Sequence, residues 1–195
     1  MRRTDLSRDQ RHGRDVCGGD GACRALTQGV SGAGKSTVGV QLAEVLGAPF
    51  LDADEYHSAE SIAKLASGTP LTDDDRWPWL ARVAAAAREH AEAAAPTHTC
   101  VVACSALKVA YRDALRATRG VRFRFVYLRL APALLAERLA QRAGHFMRAV
   151  MLSSQLETLE EPRADEAGAC VVNIVADMPR AAVVRAVEHA LQGLG

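Results

Sequence analysis

The sequence is poor in aromatic residues, which make up 5% of the chain, and it has no apolar run near the roughly 18 residues that a transmembrane helix needs. Its formal net charge is only +1, so no excess of either sign favours nucleic acid or an anionic membrane as a partner. With 195 residues, 49% of them hydrophobic, the chain is long enough to bury a sizeable core. We therefore expect a domain that acts on a small molecule and binds neither nucleic acid nor membranes.

The first 21 residues lack the hydrophobic stretch of a secretory signal peptide. Arginines alternate there with aspartates, whereas mitochondrial presequences are poor in acidic residues. The segment is highly charged and rich in glycine, a composition that cannot offset the entropy lost on ordering. We expect a cytoplasmic protein with a disordered tail over 1–21 and a single domain over 22–195.

The five cysteines, at positions 17, 23, 100, 104 and 170, form no C-x-x-C pair and no spacing suited to zinc. Cys100 and Cys104 would share one face of a strand about 13 Å apart, which is too far for a disulfide. We predict reduced cysteines and no bridge.

Residues 29–36 read GVSGAGKS, a full match to the phosphate-loop pattern G-x-x-x-x-G-K-[ST]. The glycines allow backbone N–H groups to surround anionic oxygens, Lys35 adds a point charge, and the Ser36 hydroxyl can ligate magnesium. The motif predicts a site for a nucleoside triphosphate with Mg²⁺. The residues expected to contact the nucleotide are Gly29, Val30, Ser31, Gly32, Ala33, Gly34, Lys35, Ser36 and Thr37.

The flanks of this motif agree with a strand, a loop and a helix in that order. Apolar residues recur at helical spacing after Lys35, and Gly47 is a typical helix stop. The preceding strand, 22–28, should be buried, yet it contains Arg24 and Gln28. Either their polar groups reach solvent at the strand ends, or the segment has diverged and nucleotide binding is impaired.

Short apolar runs alternate with longer helical patterns, which is typical of α/β proteins with a parallel sheet. Between two of these elements, residues 68–80 (GTPLTDDDRWPWL) predict a long ordered loop, with Asp73–Asp75 ordering it and Trp77 and Trp79 packing it down. Further strands are predicted at 49–53, 99–103, 122–130 and 170–175, and helices near 58–66, 78–95, 107–119, 132–142, 148–159 and 179–192.

Ligands of open parallel sheets bind at the carboxyl ends of the strands. The second strand ends at Asp52 and Asp54, and the third at Ser105 and Lys108. Because the third strand ends without an acid, Asp52 is the candidate magnesium ligand, directly or through water. Asp54 could orient an attacking hydroxyl or act as its base. The alternative is that both aspartates cap a helix N-terminus.

The ordered segments GVSGAGKST, DADEYH, GTPLTDDDRWPWL, CSALKVAYRD, GHF and QLETLEEP resemble the gluconokinase family, which phosphorylates D-gluconate with ATP. The resemblance runs from about residue 29 to about residue 175. It implies a P-loop kinase-like three-layer α/β fold with a five-stranded parallel sheet and a helical lid. It also implies magnesium dependence and a homodimer.

The resemblance implies a role for further polar residues. Arg76 is the main candidate to hold the gluconate carboxylate, because a guanidinium pairs with it in a planar fork. His57 and Lys108 are secondary candidates, the alternatives being a turn residue and a solvated charge. The expected catalytic residues are Lys35, Asp52, Asp54, Arg138 and Arg142, and the expected substrate contacts are Asp54, His57, Arg76, Ser105, Lys108 and His145.

Arg138 and Arg142 lie one helical turn apart and precede the GHF segment, so one helix face could deliver two cations to a closing lid. The alternative is an exposed basic face.

The chain departs from the family pattern after DADEYH, where His-Pro, Asn and Lys-Met are usual and Ser58, Ser61, Lys64 and Leu65 stand here. Loss of the Asn amide removes two donors and an acceptor from the expected substrate side. Two alternatives therefore stay open. One is another small-molecule kinase, resembling shikimate kinase, and the other is a nucleotide-binding protein with impaired catalysis.

Overall fold

The computed structural model describes residues 23–140, 145–163, 165–175 and 178–194. Its centre is a five-stranded sheet with the strand order β2-β3-β1-β4-β5, in which every neighbouring pair is parallel. The strands are β1 Cys23–Gln28, β2 Phe50–Asp52, β3 Thr99–Cys104, β4 Arg122–Leu130 and β5 Ala169–Ile174. The predicted α/β class with a five-stranded parallel sheet is confirmed.

Helices cover both faces of the sheet and give three layers. Their bounds are α1 Lys35–Leu46, α2 Ala59–Ala66, α3 Asp73–Ala93, α4 Val109–Arg116, α5 Pro132–Ala140, α6 His145–Thr158 and α7 Arg180–Gln192. A short 3₁₀ turn, Ala53–Tyr56, follows β2. No helix among these described residues is long and apolar enough to cross a membrane.

Two apolar clusters lie on opposite faces of the sheet. The first joins the buried face of α1 to α5 and α7, with Leu42, Leu135 and Val187 among its members. The second joins α3 and α4 to the other face through residues such as Trp79 and Leu115. Because both faces of β3 are covered, all six of its residues are buried, as expected for a central parallel strand.

The central strand is β1, which pairs with β3 on one side and β4 on the other. Of the two alternatives for Gln28, the one that keeps its polar group in solvent is wrong, since the residue has no exposed surface. Its Nε2 instead donates to the carbonyl oxygen of Ala106 at 2.9 Å. The amide nitrogen thus has an internal partner, whereas the buried Oε1 of Gln28 has none among the residues that the structure describes.

The predicted ordered loop over 68–80 is wrong in its second half, because α3 begins at Asp73 rather than near residue 78. Thr72 and Asp75 form a capping box in which each side chain accepts from the other's backbone N–H. Pro78 lies inside the helix and removes one hydrogen bond, to the carbonyl of Asp74. Asp74 is exposed, so water can bind that carbonyl.

The boundaries of the other helices and strands agree with the predicted boundaries within one to three residues. The helix after the phosphate loop ends as predicted, with Gly47 in the left-handed conformation at φ 60°. Cys100, Cys104 and Cys170 are free thiols, as predicted. The predicted disordered tail, 1–21, lies outside the described residues and stays a prediction.

Asp75 allows a stability test, because its pKa is lowered to about 2 by the Lys64 ion pair and then by hydrogen bonds from Thr72. A lowered carboxyl pKa stabilises the fold above the unfolded value near 4, and that contribution is lost as the pH falls towards 2. We expect Asp75→Asn to be less stable at pH 7 and to approach the unaltered protein between pH 4 and pH 2.

Urea unfolding at pH 7, 4 and 3 would measure this difference. Asp74→Asn is the matched control, since Asp74 is exposed on the same helical turn. An equal loss of stability in both variants, or a pH-independent loss in Asp75→Asn, would contradict the role of this ion pair.

Candidate active site

The phosphate loop lies between β1 and α1 and depends on three glycines with positive φ, namely Gly29 at 151°, Gly32 at 84° and Gly34 at 95°. A Cβ on Gly29 would lie 3.1 Å from the Cβ of Ala33 and 3.3 Å from the carbonyl oxygen of Leu128, so a side chain there would be strained and crowded. Gly34 is the N-cap of α1 in the left-handed conformation. The loop therefore leads directly into the positive end of a helix dipole, which favours anions.

The Asp52 carboxylate at the end of β2 accepts two hydrogen bonds, one of them from the phosphate-loop motif. The Ser36 hydroxyl donates to Oδ2 of Asp52 at 2.7 Å. The backbone N–H of Asp54 donates to Oδ1 of the same carboxylate at 3.1 Å. Asp52 thus caps the 3₁₀ turn and also joins that turn to the loop. The alternative interpretation assigned a cap to both aspartates, and Asp54 lies inside the turn instead.

The Ser36 hydroxyl and the Asp52 carboxylate form a donor set that fits magnesium. Mg²⁺ usually takes one or two protein oxygens and completes its shell with water and substrate phosphates. The two groups are within hydrogen-bond distance and lie where the loop would hold phosphates. The Lys35 Nζ, from the neighbouring position, donates to the carbonyl of Val30 at 3.2 Å.

Two clefts open on either side of the phosphate loop. The first, here called the Asp54 cleft, has a volume of about 400 Å³. It brings together six of the predicted residues, which are Ser31, Lys35, Asp54, His57, Arg76 and Ser105. The rest of the lining is Ile62, Leu65, Ala66, Leu71, Trp79 and Gln155. The Asp54 side chain is 80% exposed and available to a ligand. The cleft therefore offers a carboxylate and two cations to a polar molecule.

The second, here called the Arg138 cleft, has a volume of about 420 Å³. Its lining is Gly32, Ala33, Gly34, Thr37, Val38, Arg138, Ile174, Met178, Arg180 and Val183. The sequence-based predictions did not include Met178, Arg180 or Val183. Their signal was available, because they follow β5 at the carboxyl edge where the other candidates were sought. Since the loop contributes to both clefts, ligands in the two would meet at the loop.

His57 is fixed by its neighbours. Its ring stacks on the ring of Trp79 with centroids 4.6 Å apart, and the Trp79 Nε1–H donates to the carbonyl of Ala53. Burial lowers the pKa of His57, and Arg76 and Arg82 lower it further, while Asp54 opposes them. The imidazole is therefore neutral at pH 7 and can offer a hydrogen bond without adding charge.

Arg76 and Lys108 both lie near Asp73, at 3.9 Å and 2.8 Å from its Oδ1, but they differ in their relation to the cleft. Arg76 lies in the Asp54 cleft and its Nη1 donates to the Tyr111 hydroxyl at 3.3 Å. The Lys108 ammonium is held by both carboxylate oxygens of Asp73 at 2.8 Å, and Lys108 does not line the cleft among the described residues. A substrate contact by Lys108, which was predicted, would require this ion pair to open.

The turn that contains Ser105 is stabilised by hydrogen bonds from buried side chains. Ala106 has a positive φ of 38°, which is rare for a residue with a side chain. Its carbonyl accepts from Gln28 Nε2 at 2.9 Å and from Arg112 Nη1 at 3.2 Å. Arg112 is fully buried and its Nε and Nη2 form an ion pair with Glu166. These buried bonds maintain the unusual backbone beside the cleft.

Three of the predicted residues belong to the expected lid, and the structure describes the side chain of one of them. Arg142 lies outside the described residues. His145 begins α6, but its side chain is not among those described. Nη1 of Arg138 lies 3.8 Å from where a Cβ of Gly34 would stand, so its guanidinium is at the phosphate loop.

A phosphate loop at the edge of a parallel sheet, shared by two polar clefts, defines a P-loop kinase.

Comparison with known proteins identifies the kind of kinase. A family profile described as "AAA domain" matches residues 25–162. The thermoresistant gluconokinase of Escherichia coli strain K12 is 44% identical over 160 residues, or 82% of this chain and 87% of that protein. The gluconokinase of Gluconobacter oxydans strain 621H is 45% identical over 141 residues, or 72% and 77% of the two chains.

A solved structure agrees with these relatives. The crystal structure of a gluconokinase from Sinorhizobium meliloti 1021 superimposes with a TM-score of 0.71 at 43% identity, over 89% of this chain and 93% of that one. The chain belongs to the gluconokinase family.

The lowered pKa of His57 yields a prediction about stability. A buried imidazole whose pKa lies below the usual value resists protonation, so folding loses stability as the pH falls below about 6.5. We expect His57→Phe, which preserves stacking on Trp79, to lose less stability than the unaltered protein between pH 7.5 and pH 5.5.

Free energies of unfolding measured at both pH values would test this prediction. The contributions of the other histidines cancel in the comparison, because both proteins contain them. His90→Phe, on an exposed part of α3, is the control and should follow the unaltered protein. Parallel pH curves for the unaltered protein and His57→Phe would contradict the buried neutral imidazole.

Proposed function

We propose that this protein uses MgATP to phosphorylate D-gluconate to 6-phospho-D-gluconate. The observation that carries the proposal is that the phosphate loop forms a wall of both clefts, with Ser31 and Lys35 in one and Gly34 and Thr37 in the other. A nucleotide whose phosphates lie on the loop would present its terminal phosphate to a ligand in the Asp54 cleft. The names of the relatives supply the substrates.

On the nucleotide side, backbone N–H groups of residues 29–37, the α1 dipole and Lys35 would hold the phosphates. Ser36, with Asp52 directly or through a water, would hold magnesium, which offsets the charge on the phosphate oxygens when bound. Phosphoryl transfer depends mainly on positioning and charge stabilisation, and these groups provide both. Arg138, together with Arg142, would add positive charge from the lid.

On the sugar-acid side, Asp54 would accept a hydrogen bond from the 6-hydroxyl, orienting it and taking its proton during transfer. The exposure of its carboxylate supports this role. Arg76 would bind the substrate carboxylate, and His57, Ser105 and His145 would contact hydroxyl groups. Lys108 is a candidate contact only if its ion pair with Asp73 opens.

We also propose that the protein works as a homodimer in the cytoplasm, as the family resemblance implies. A disordered tail over 1–21 would leave 22–195 as the catalytic domain.

The reaction is tested by ADP release with MgATP and a panel of gluconate, other sugar acids, shikimate and nucleoside monophosphates. We expect turnover with gluconate and an acid-stable product phosphorylated at the 6-position. Lys35→Met should abolish turnover while preserving the unfolding midpoint, because Lys35 serves the phosphates rather than the core. Turnover with shikimate or a nucleotide, and none with gluconate, would contradict the proposal.

The role of Asp54 is tested by Asp54→Asn. An amide retains hydrogen-bonding capacity but cannot take a proton, so we expect kcat to fall about a hundredfold or more, while the Kd for ATP changes less than about twofold. Steady-state kinetics and nucleotide titration measure the two effects. Glu55→Gln, at the exposed neighbouring position, is the control. An unchanged kcat in Asp54→Asn would leave this aspartate without a catalytic role.

A further inference from the structure

Gln155 connects the helix α6 to the phosphate loop. Its Oε1 accepts a hydrogen bond from the backbone N–H of Ser31 at 2.7 Å, across 124 residues of sequence. Gln155 belongs to the segment QLETLEEP, in which the sequence-based predictions assigned no role to any side chain. The contact places a neutral side chain of α6 directly against the loop that would bind nucleotide.

This hydrogen bond fixes the orientation of the carboxamide. A backbone N–H can only donate, so the atom that faces Ser31 must be the oxygen, and the NH₂ group occupies the other position. Nε2 of Gln155 has no hydrogen-bond partner among the residues that the structure describes. Its two N–H donors are therefore available to a ligand.

Gln155 also lines the Asp54 cleft, on the wall that Ser31 and Lys35 contribute. The other polar groups there include the carboxylate of Asp54 and the cations of Lys35 and Arg76. Each hydroxyl group of a polyol has lone pairs that accept hydrogen bonds, so a chain of hydroxyl groups needs several donors along its length. The Gln155 amide meets that requirement at the loop end of the cleft.

We infer that Gln155 is a specificity-determining residue whose Nε2 donates to the 5-hydroxyl of gluconate. The inference rests on the proposed function, which puts the 6-hydroxyl against the terminal phosphate at the loop. The next hydroxyl along the chain is then the one nearest to a side chain that is itself anchored on the loop. The carboxylate end of the substrate extends towards Arg76.

A comparison of two substrates and two variants tests the contact. The substrates are D-gluconate and its analogue without the 5-hydroxyl. Gln155→Glu preserves an oxygen that can accept from Ser31 but removes both donors, and Gln155→Met removes the acceptor as well. In both variants we expect kcat/KM to fall about tenfold more with gluconate than with the 5-deoxy analogue. The reason is that both variants lack the hydrogen bond to the 5-hydroxyl, which the analogue cannot form in any case.

The comparison between substrates cancels any general effect of the glutamate charge on ATP. Equal losses with both substrates would overturn the inference and leave Gln155 as a structural link to Ser31. The inference would also be overturned if Gln155→Met, but not Gln155→Glu, lost the preference for gluconate over the 5-deoxy analogue. The effect would then come from the lost hydrogen bond to Ser31 and not from the lost N–H donors. Ser153→Ala, exposed on the same helix, is the control and should preserve the ratio of the two substrates.

A second measurement does not depend on turnover. The side-chain ¹⁵NH₂ resonances of Gln155, assigned by their loss in Gln155→Glu, should shift when gluconate is added without nucleotide and should shift less with the 5-deoxy analogue. Identical shifts, or none, would overturn the inference even in an active enzyme. Shifts without any phosphorylation would support the contact and contradict the proposed function, so the two failures are distinguishable.

Discussion

The parallel pairing of β3 with β1 on one side and β2 on the other is the constraint on which the site depends. This pairing brings the loops that follow β1, β2 and β3 to the same edge of the sheet, although the chain between them is long. The phosphate loop, the Asp52–Asp54 turn and the Ser105 turn are therefore neighbours. A change of register by one residue would turn the strand side chains to the opposite face and separate these groups.

Polar groups within the core maintain this edge. Gln28 and Arg112 both bind the carbonyl of Ala106, and Arg112 is bound in turn by Glu166 and by the carbonyl of Glu160. Buried polar groups of this kind destabilise a protein when a partner is missing, but they specify one arrangement when they are paired. Here they hold Ala106, a residue with positive φ, next to Ser105 and the cleft.

Of the charged side chains at the start of α3, some form ion pairs within the protein and one lines the Asp54 cleft. Asp73 binds Lys108 and the Tyr111 hydroxyl, while Asp75 binds Lys64 and caps the helix. These pairs use cations and acids that could otherwise serve a substrate. Arg76 is the cation of this region that lines the Asp54 cleft, with Tyr111 supporting its guanidinium from one side. The same short acidic segment thus begins the helix and also contacts Arg76, whose Nη1 lies 3.9 Å from Oδ1 of Asp73.

The sequence by itself determined the features that depend on local spacing. The phosphate loop, the helix after it and the pair Asp52 and Asp54 follow from residues close together in the chain, and the capping box at Thr72 and Asp75 could have been recognised in the same way. Only the tertiary structure decided that Gln28 is buried, that Lys108 is bound by Asp73, and that Gln155 reaches Ser31. These contacts join residues 35 to 124 positions apart, so they depend on how the strands are ordered and the helices packed, which no local pattern encodes.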